Sequence, residues 1–185
     1  LYQKDGVKLR PYQGTIDDFA EDGFSQCEAA GAKLWGVYPV RNGMFMNDRT
    51  VVGLRYVCGA CFGSYAGIAP YPTASAHQNS SGEDFLRTLH SYVSFGAVMR
   101  LEYLTYKTAY FAAGGIDQEL KNAGIANRQD DHSARLLAIA QQYPGLAIPY
   151  RKAGDILNLR LKRIDLAKIP KDNRAEFIRA MKGQQ

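Results

Sequence analysis

Between Asp84 and Phe111 the chain concentrates enough apolar residues for a core, and any fold it adopts must bury them. Phe85, Leu89, Tyr92, Gly96, Met99, Tyr103, Tyr106 and Tyr110 recur at three- and four-residue steps, and Leu86, Val93, Ala97, Leu104 and Phe111 form a second stripe. Two stripes at helical spacing predict one long central helix, about 84–112, packed on more than one side. Ser81 with Asp84 three residues on reads as its start, and Gly114-Gly115 as its stop.

The flanking segments complete a fold around that helix. Thr15 followed by Asp18 resembles a capping box opening a helix over about 16–35. Asn42-Gly43, between Val37–Val40 and Met44–Met46, has the chemistry of a type I′ hairpin turn. Pro39 places its strand at an edge, and Thr50–Val57 reads as a third strand. The region 62–82 is rich in Gly, Pro and Ser and reads as a long loop. Further helices are expected at 117–123, from 128 to 143, and from Asp172 onward, with a short strand at 146–150. In 156–166 the alternating Leu157, Leu159 and Leu161 fit a strand, while Asp155 as a cap and the Leu/Arg/Lys content favour a helix. The expectation is one α-rich α+β domain over 1–185, with a small antiparallel sheet at about 36–58 packed on the long helix. At 185 residues such a domain needs neither metal nor disulfide merely to fold.

The net charge of +5 is unevenly placed. Residues 150–185 carry ten Lys/Arg against four Asp/Glu, and the rest of the chain is close to neutral. Arg160, Lys162 and Arg163 form the densest cluster. It is a solvated face or a contact for an acidic or phosphate-bearing partner. The tail lacks the interleaved aromatics of a single-strand binder. No Walker, Rossmann-glycine, HExxH or GxSxG sequence appears, so no cofactor is expected. No charge-free stretch suits a spanning helix.

Three cysteines are the sharpest candidates for chemistry. Cys58 and Cys61 follow a predicted strand, at the spacing that lets one thiol resolve a mixed disulfide on the other. The pair resembles the redox dithiol of thioredoxin-like proteins, though Phe62 to Pro70 does not encode the helix that follows it there. Cys58-Gly59-Ala60-Cys61-Phe62 also resembles the active-site signature of papain-like proteases over five residues, with Phe62 where that family has Trp or Tyr. That resemblance implies Cys61 as nucleophile and a His more than a hundred residues downstream, where this chain has none. Within this chain the base would be His132 or His77. Cys27, Cys58, Cys61 and His77 make a weak zinc set, since only one ligand pair is closely spaced.

Two function classes follow. The favoured one is a non-catalytic interaction or assembly subunit, most simply with a protein partner. It would present the tyrosines Tyr103, Tyr106 and Tyr110 and the basic face of Arg160, Lys162 and Arg163. The alternative is a cysteine-dependent enzyme using Cys61 with His132, or the Cys58/Cys61 redox pair.

Overall fold

The computed structural model of the chain describes residues 1–65, 82–108 and 128–182. In chain order these form β1 (Tyr2–Asp5), β2 (Lys8–Pro11), α1 (Ile16–Ala29), β3 (Leu34–Tyr38), β4 (Thr50–Leu54), β5 (Phe62–Ser64), α2 (Glu83–Phe95) and β6 (Val98–Thr105). Then follow α3 (Arg128–Gln142), β7 (Ala147–Arg151), β8 (Leu157–Leu161), β9 (Ile164–Asp165) and α4 (Lys171–Lys182). The fold is dominated by a curled, mixed, seven-stranded sheet, with β7 and β8 as a separate two-stranded ribbon. It is not α-rich, and the long helix over 84–112 does not exist.

That segment splits at Gly96. The glycine has a left-handed φ of 84°, and its N–H donates to the Tyr92 carbonyl, so α2 ends there. The chain re-enters as β6, the axis of the sheet. On one side β6 runs parallel to β3, with Trp35 opposite Met99. It is antiparallel to β4, with Val51 opposite Arg100, and its far end pairs with β1, Tyr2 opposite Thr105. β2 extends the sheet beyond β1, β5 beyond β3, and β9 beyond β4. Every residue of β6 except the half-buried Tyr103 is buried. Its charged Arg100 and Glu102 are buried along with its apolar residues, so helical stripes can be drawn through the apolar positions as readily as a strand pattern.

The expected three-stranded antiparallel sheet at 36–58 is also corrected. Asn42-Gly43 does not form a hairpin, because β3 and β4 are both bonded to β6 and not to each other. The Asn42 side chain instead accepts from the Met44 N–H and starts a single 3₁₀ turn, Gly43–Phe45. β3 stops before Pro39 and lies inside the sheet, not at its edge. Residues 157–161 form a strand, not the favoured helix. Leu157, Leu159 and Leu161 are buried, and the turn into it uses Gly154 and Asp155 at positive φ. The capping box of Thr15 and Asp18 is present and opens α1. α2 starts at Gly82 without a side-chain cap. The expected 117–123 helix falls outside the described residues, as does most of the 62–82 loop, whose first residues form β5.

The core explains the cover of the sheet. Trp35 is 1% exposed and sits against Gly23 of α1, with Phe19 and Phe24 edge-on at 5.1 and 5.5 Å between centroids. Gly36, one residue on, faces Val57, whose N–H donates to Thr88 of α2. Successive strand residues point to opposite faces, so α1 and α2 cover opposite sides. Leu136 and Ile139 of α3 and Tyr143, just beyond its end, are buried in the same cluster as the leucines of the ribbon. Among the described residues no helix is long and apolar enough to cross a membrane.

Candidate functional site: a cationic cleft on the sheet

On the α2 side of the sheet a cleft of about 500 Å³ opens between β4, β6 and the segment 162–169. Its charged lining is Arg49, Arg55, Arg100, Lys162, Arg163 and Lys168 against Glu102 and Asp165, a surplus of four positive charges. Strand alternation supplies the floor. Arg100 and Glu102 lie two apart on β6 and therefore share a face. Arg49 and Arg55 flank β4, and β9 brings Asp165 to its edge.

The floor is fixed by hydrogen bonds. Both Nε and Nη2 of Arg100 donate to Glu102 Oε1, at 2.9 and 2.6 Å, and Nη1 donates to the Tyr56 carbonyl at 3.0 Å. The same guanidinium lies 5.0 Å from the centre of the Tyr38 ring. Arg55 Nη1 donates to the Leu54 and Ile164 carbonyls at 2.9 and 2.7 Å. Its Nε is 4.0 Å from Glu102 and its Nη2 is 3.9 Å from Asp165. Arg49 reaches Asp165 at 3.1 Å. Burial, and then the repulsion of Arg100, press the Arg55 pKa downward. Arginine keeps its proton regardless; burial of the guanidinium is the leading cause, with Arg100 and Arg163 adding repulsion and Glu102 and Asp165 opposing it. Lys162, Arg163 and Lys168 are exposed at the rim, and no carboxylate pairs with any of them among the described residues.

The sequence-flagged residues separate. Lys162 and Arg163 belong to the cleft, whereas Arg160 lies on the ribbon over the Tyr150 ring. Of the tyrosines, Tyr103 is half-buried and Tyr106 buried. The Tyr103 hydroxyl accepts from Gln26 and donates to Asp22 of α1. Tyr110 and His77 fall outside the described residues. His132 is half-buried on α3, which packs on the ribbon, while Cys61 precedes β5 beside β3 and α1. Sequence reasoning missed Arg49, Arg55, Arg100, Lys168, Glu102 and Asp165. A signal was present in Arg100-Leu101-Glu102, two charges spaced by two inside an apolar run, which places an ion pair on one face of a strand.

All three cysteines are free thiols. Cys58 and Cys61 bracket a turn laid over the start of α2. There Arg87 bonds Glu83 and Asp84 and covers the Phe62 ring at 3.9 Å. A side chain at Gly59 would strike Asp84, so the glycine of this motif has a packing role. Burial raises the Cys61 pKa. Cys27 is 0% exposed, and burial pushes its pKa up to about 11, against a smaller opposing effect of Lys33. Thiolate is the reactive form. Cys27 is therefore expected to resist iodoacetamide at pH 8 in the native protein and to react once urea unfolds it, as read by mass spectrometry. Prompt native labelling would contradict the packing described. No group of three or more metal-binding side chains occurs among the described residues.

Comparison of the chain with protein-family models, with curated proteins and with solved structures finds no match.

Proposed function

We propose that this chain is a binding or assembly subunit that holds an acidic or phosphate-bearing partner in the cleft, with Lys162, Arg163, Lys168 and Arg49 as the contacting cations. One observation carries the reading: the lining holds four more positive than negative charges, and its rim cations have no acidic partner among the described residues. A folded domain that gathers like charges in a concave site raises the local concentration of a counter-charged ligand. Pre-set arginine forks suit carboxylate and phosphate oxygens. The two floor carboxylates serve the protein itself, by holding Arg49, Arg55 and Arg100 in place.

Calorimetric titration with inorganic pyrophosphate tests this. Binding is expected, weakening as sodium chloride is raised. Replacing Lys162 and Arg163 together with alanine is expected to reduce affinity by roughly tenfold to a hundredfold, the scale of one or two charge-assisted hydrogen bonds. Both residues are exposed, so the variant should fold like the parent. Undetectable pyrophosphate binding at low salt, or an affinity indifferent to salt, would remove the reading.

A further inference from the structure

The mouth of the cleft holds an aromatic side chain that the fold does not need. Phe45 lines the cavity and is 63% exposed, although a phenyl ring normally finds cover. The backbone that carries it is nevertheless anchored. Asn42 caps the turn, the Phe45 N–H donates to the Asn42 carbonyl at 3.1 Å, and Gly43 packs on the Val7 carbonyl. On its other side Met46 is buried, and the Asn47 N–H donates to the Glu102 carbonyl at 3.3 Å. The backbone at Phe45 thus lies between two anchors, one of them on the strand that carries Arg100 and Glu102. Asn47 lines the same cavity, and its amide offers a donor and an acceptor together.

We infer that the cleft accepts a nucleoside phosphate, with the phosphates on the Lys162, Arg163 and Arg49 side and the base against Phe45 within reach of Asn47. The inference rests on the anion-binding reading above and narrows it to a ligand class. An exposed ring on an anchored turn beside a cation cluster suits a flat, apolar, hydrogen-bonding base attached to phosphates. The cavity volume lies within the ordinary range of small-molecule sites. Phe45 stands more than a hundred positions before the basic cluster, and the half-buried Phe177 of the C-terminal segment lines the same cleft.

Three probes titrated in magnesium-free buffer test the inference: pyrophosphate, ADP and a single-stranded adenine RNA octamer. ADP and pyrophosphate carry similar charge, so the difference between them reads the base. ADP is expected to bind roughly tenfold to a hundredfold more tightly, the usual contribution of one stacked base. Phe45→Ala, at an exposed site that leaves the core untouched, should erase that advantage and leave pyrophosphate affinity unchanged. A Phe45-dependent octamer affinity well above that of ADP would identify the nucleoside phosphate as one unit of a strand. A weaker octamer would identify it as the free nucleotide. If pyrophosphate binds but neither ADP nor the octamer binds more tightly, the base seat is overturned while anion binding stands. An advantage of ADP that survives Phe45→Ala also overturns it. If none of the three binds, both readings fall.

Discussion

Glu102→Ala is expected to destabilise the fold by about 3–5 kcal/mol, the usual consequence of removing one partner from a buried ion pair. Glu102 is 3% exposed, takes two hydrogen bonds from Arg100 and lies 4.0 Å from Arg55. Without it, the guanidiniums of Arg100 on β6 and Arg55 just after β4 lose the anion between them in a cleft that already carries surplus positive charge. Urea denaturation monitored by Trp35 fluorescence would read the loss. The same substitution makes an opposite prediction for the ligand. Where the variant remains folded, pyrophosphate should bind more tightly than to the parent, because a competing anion has been removed from the floor. Saturating pyrophosphate should then recover part of the lost stability, since a ligand that binds only the folded state stabilises it. A cost below about 1 kcal/mol, the scale of an exposed pair, would mean that water already solvates the Arg100 charge and that the floor is not a closed ion-pair network.

How far the chain could be read depended on whether a segment's pattern was local. The α1 start was legible because a capping box is a contact between residues three apart, and Thr15 and Asp18 form it. The α3 helix and the strand after Leu146 were legible for the same reason, each ending at local turn chemistry. β6 was not, because what makes 98–105 a strand is cover from α1 on one face and α2 on the other, and pairing to segments more than forty residues away. Gly96 fits a helical stripe as its small member, whereas its left-handed backbone ends the helix. Asn42-Gly43 misled in a different way. Its turn propensity is real and is used, but in a 3₁₀ turn within a crossover, because β6 takes the place between β3 and β4. The site followed the same rule. Lys162 and Arg163 stood out as a local charge cluster. The arginines opposite them come from both ends of β4 and from β6, and only the strand order brings these together.

That dependence on strand order makes Gly53 the residue on which the cleft turns, and Gly53→Ala is expected to cost about 3 kcal/mol. Two effects combine. Gly53 has a φ of 145°, a region that L residues rarely adopt, and such strain costs about 1–3 kcal/mol. An added Cβ would also fall on the Ile164 carbonyl, inside contact distance. The carbonyl cannot simply rotate away, because it accepts from Arg55 at 2.7 Å and because β9 pairs with β4 at Gly53 and Leu54. β9 must therefore shift, taking Asp165 away from Arg49 and Arg55. Gly6 provides the control: its φ is also positive, 58°, but nothing lies within 4 Å of a Cβ there. Gly6→Ala is expected to cost only about 1 kcal/mol, the left-handed penalty alone. Thermal or urea unfolding of the two variants separates backbone strain from the close pairing of β9 with β4 at Gly53. Pyrophosphate affinity should change for Gly53→Ala and stay at the parental value for Gly6→Ala. Equal stability losses in the two would show that β9 yields without resistance. The position of Asp165, and with it the charge of the cleft floor, would then not be set by the close passage of β9 over Gly53.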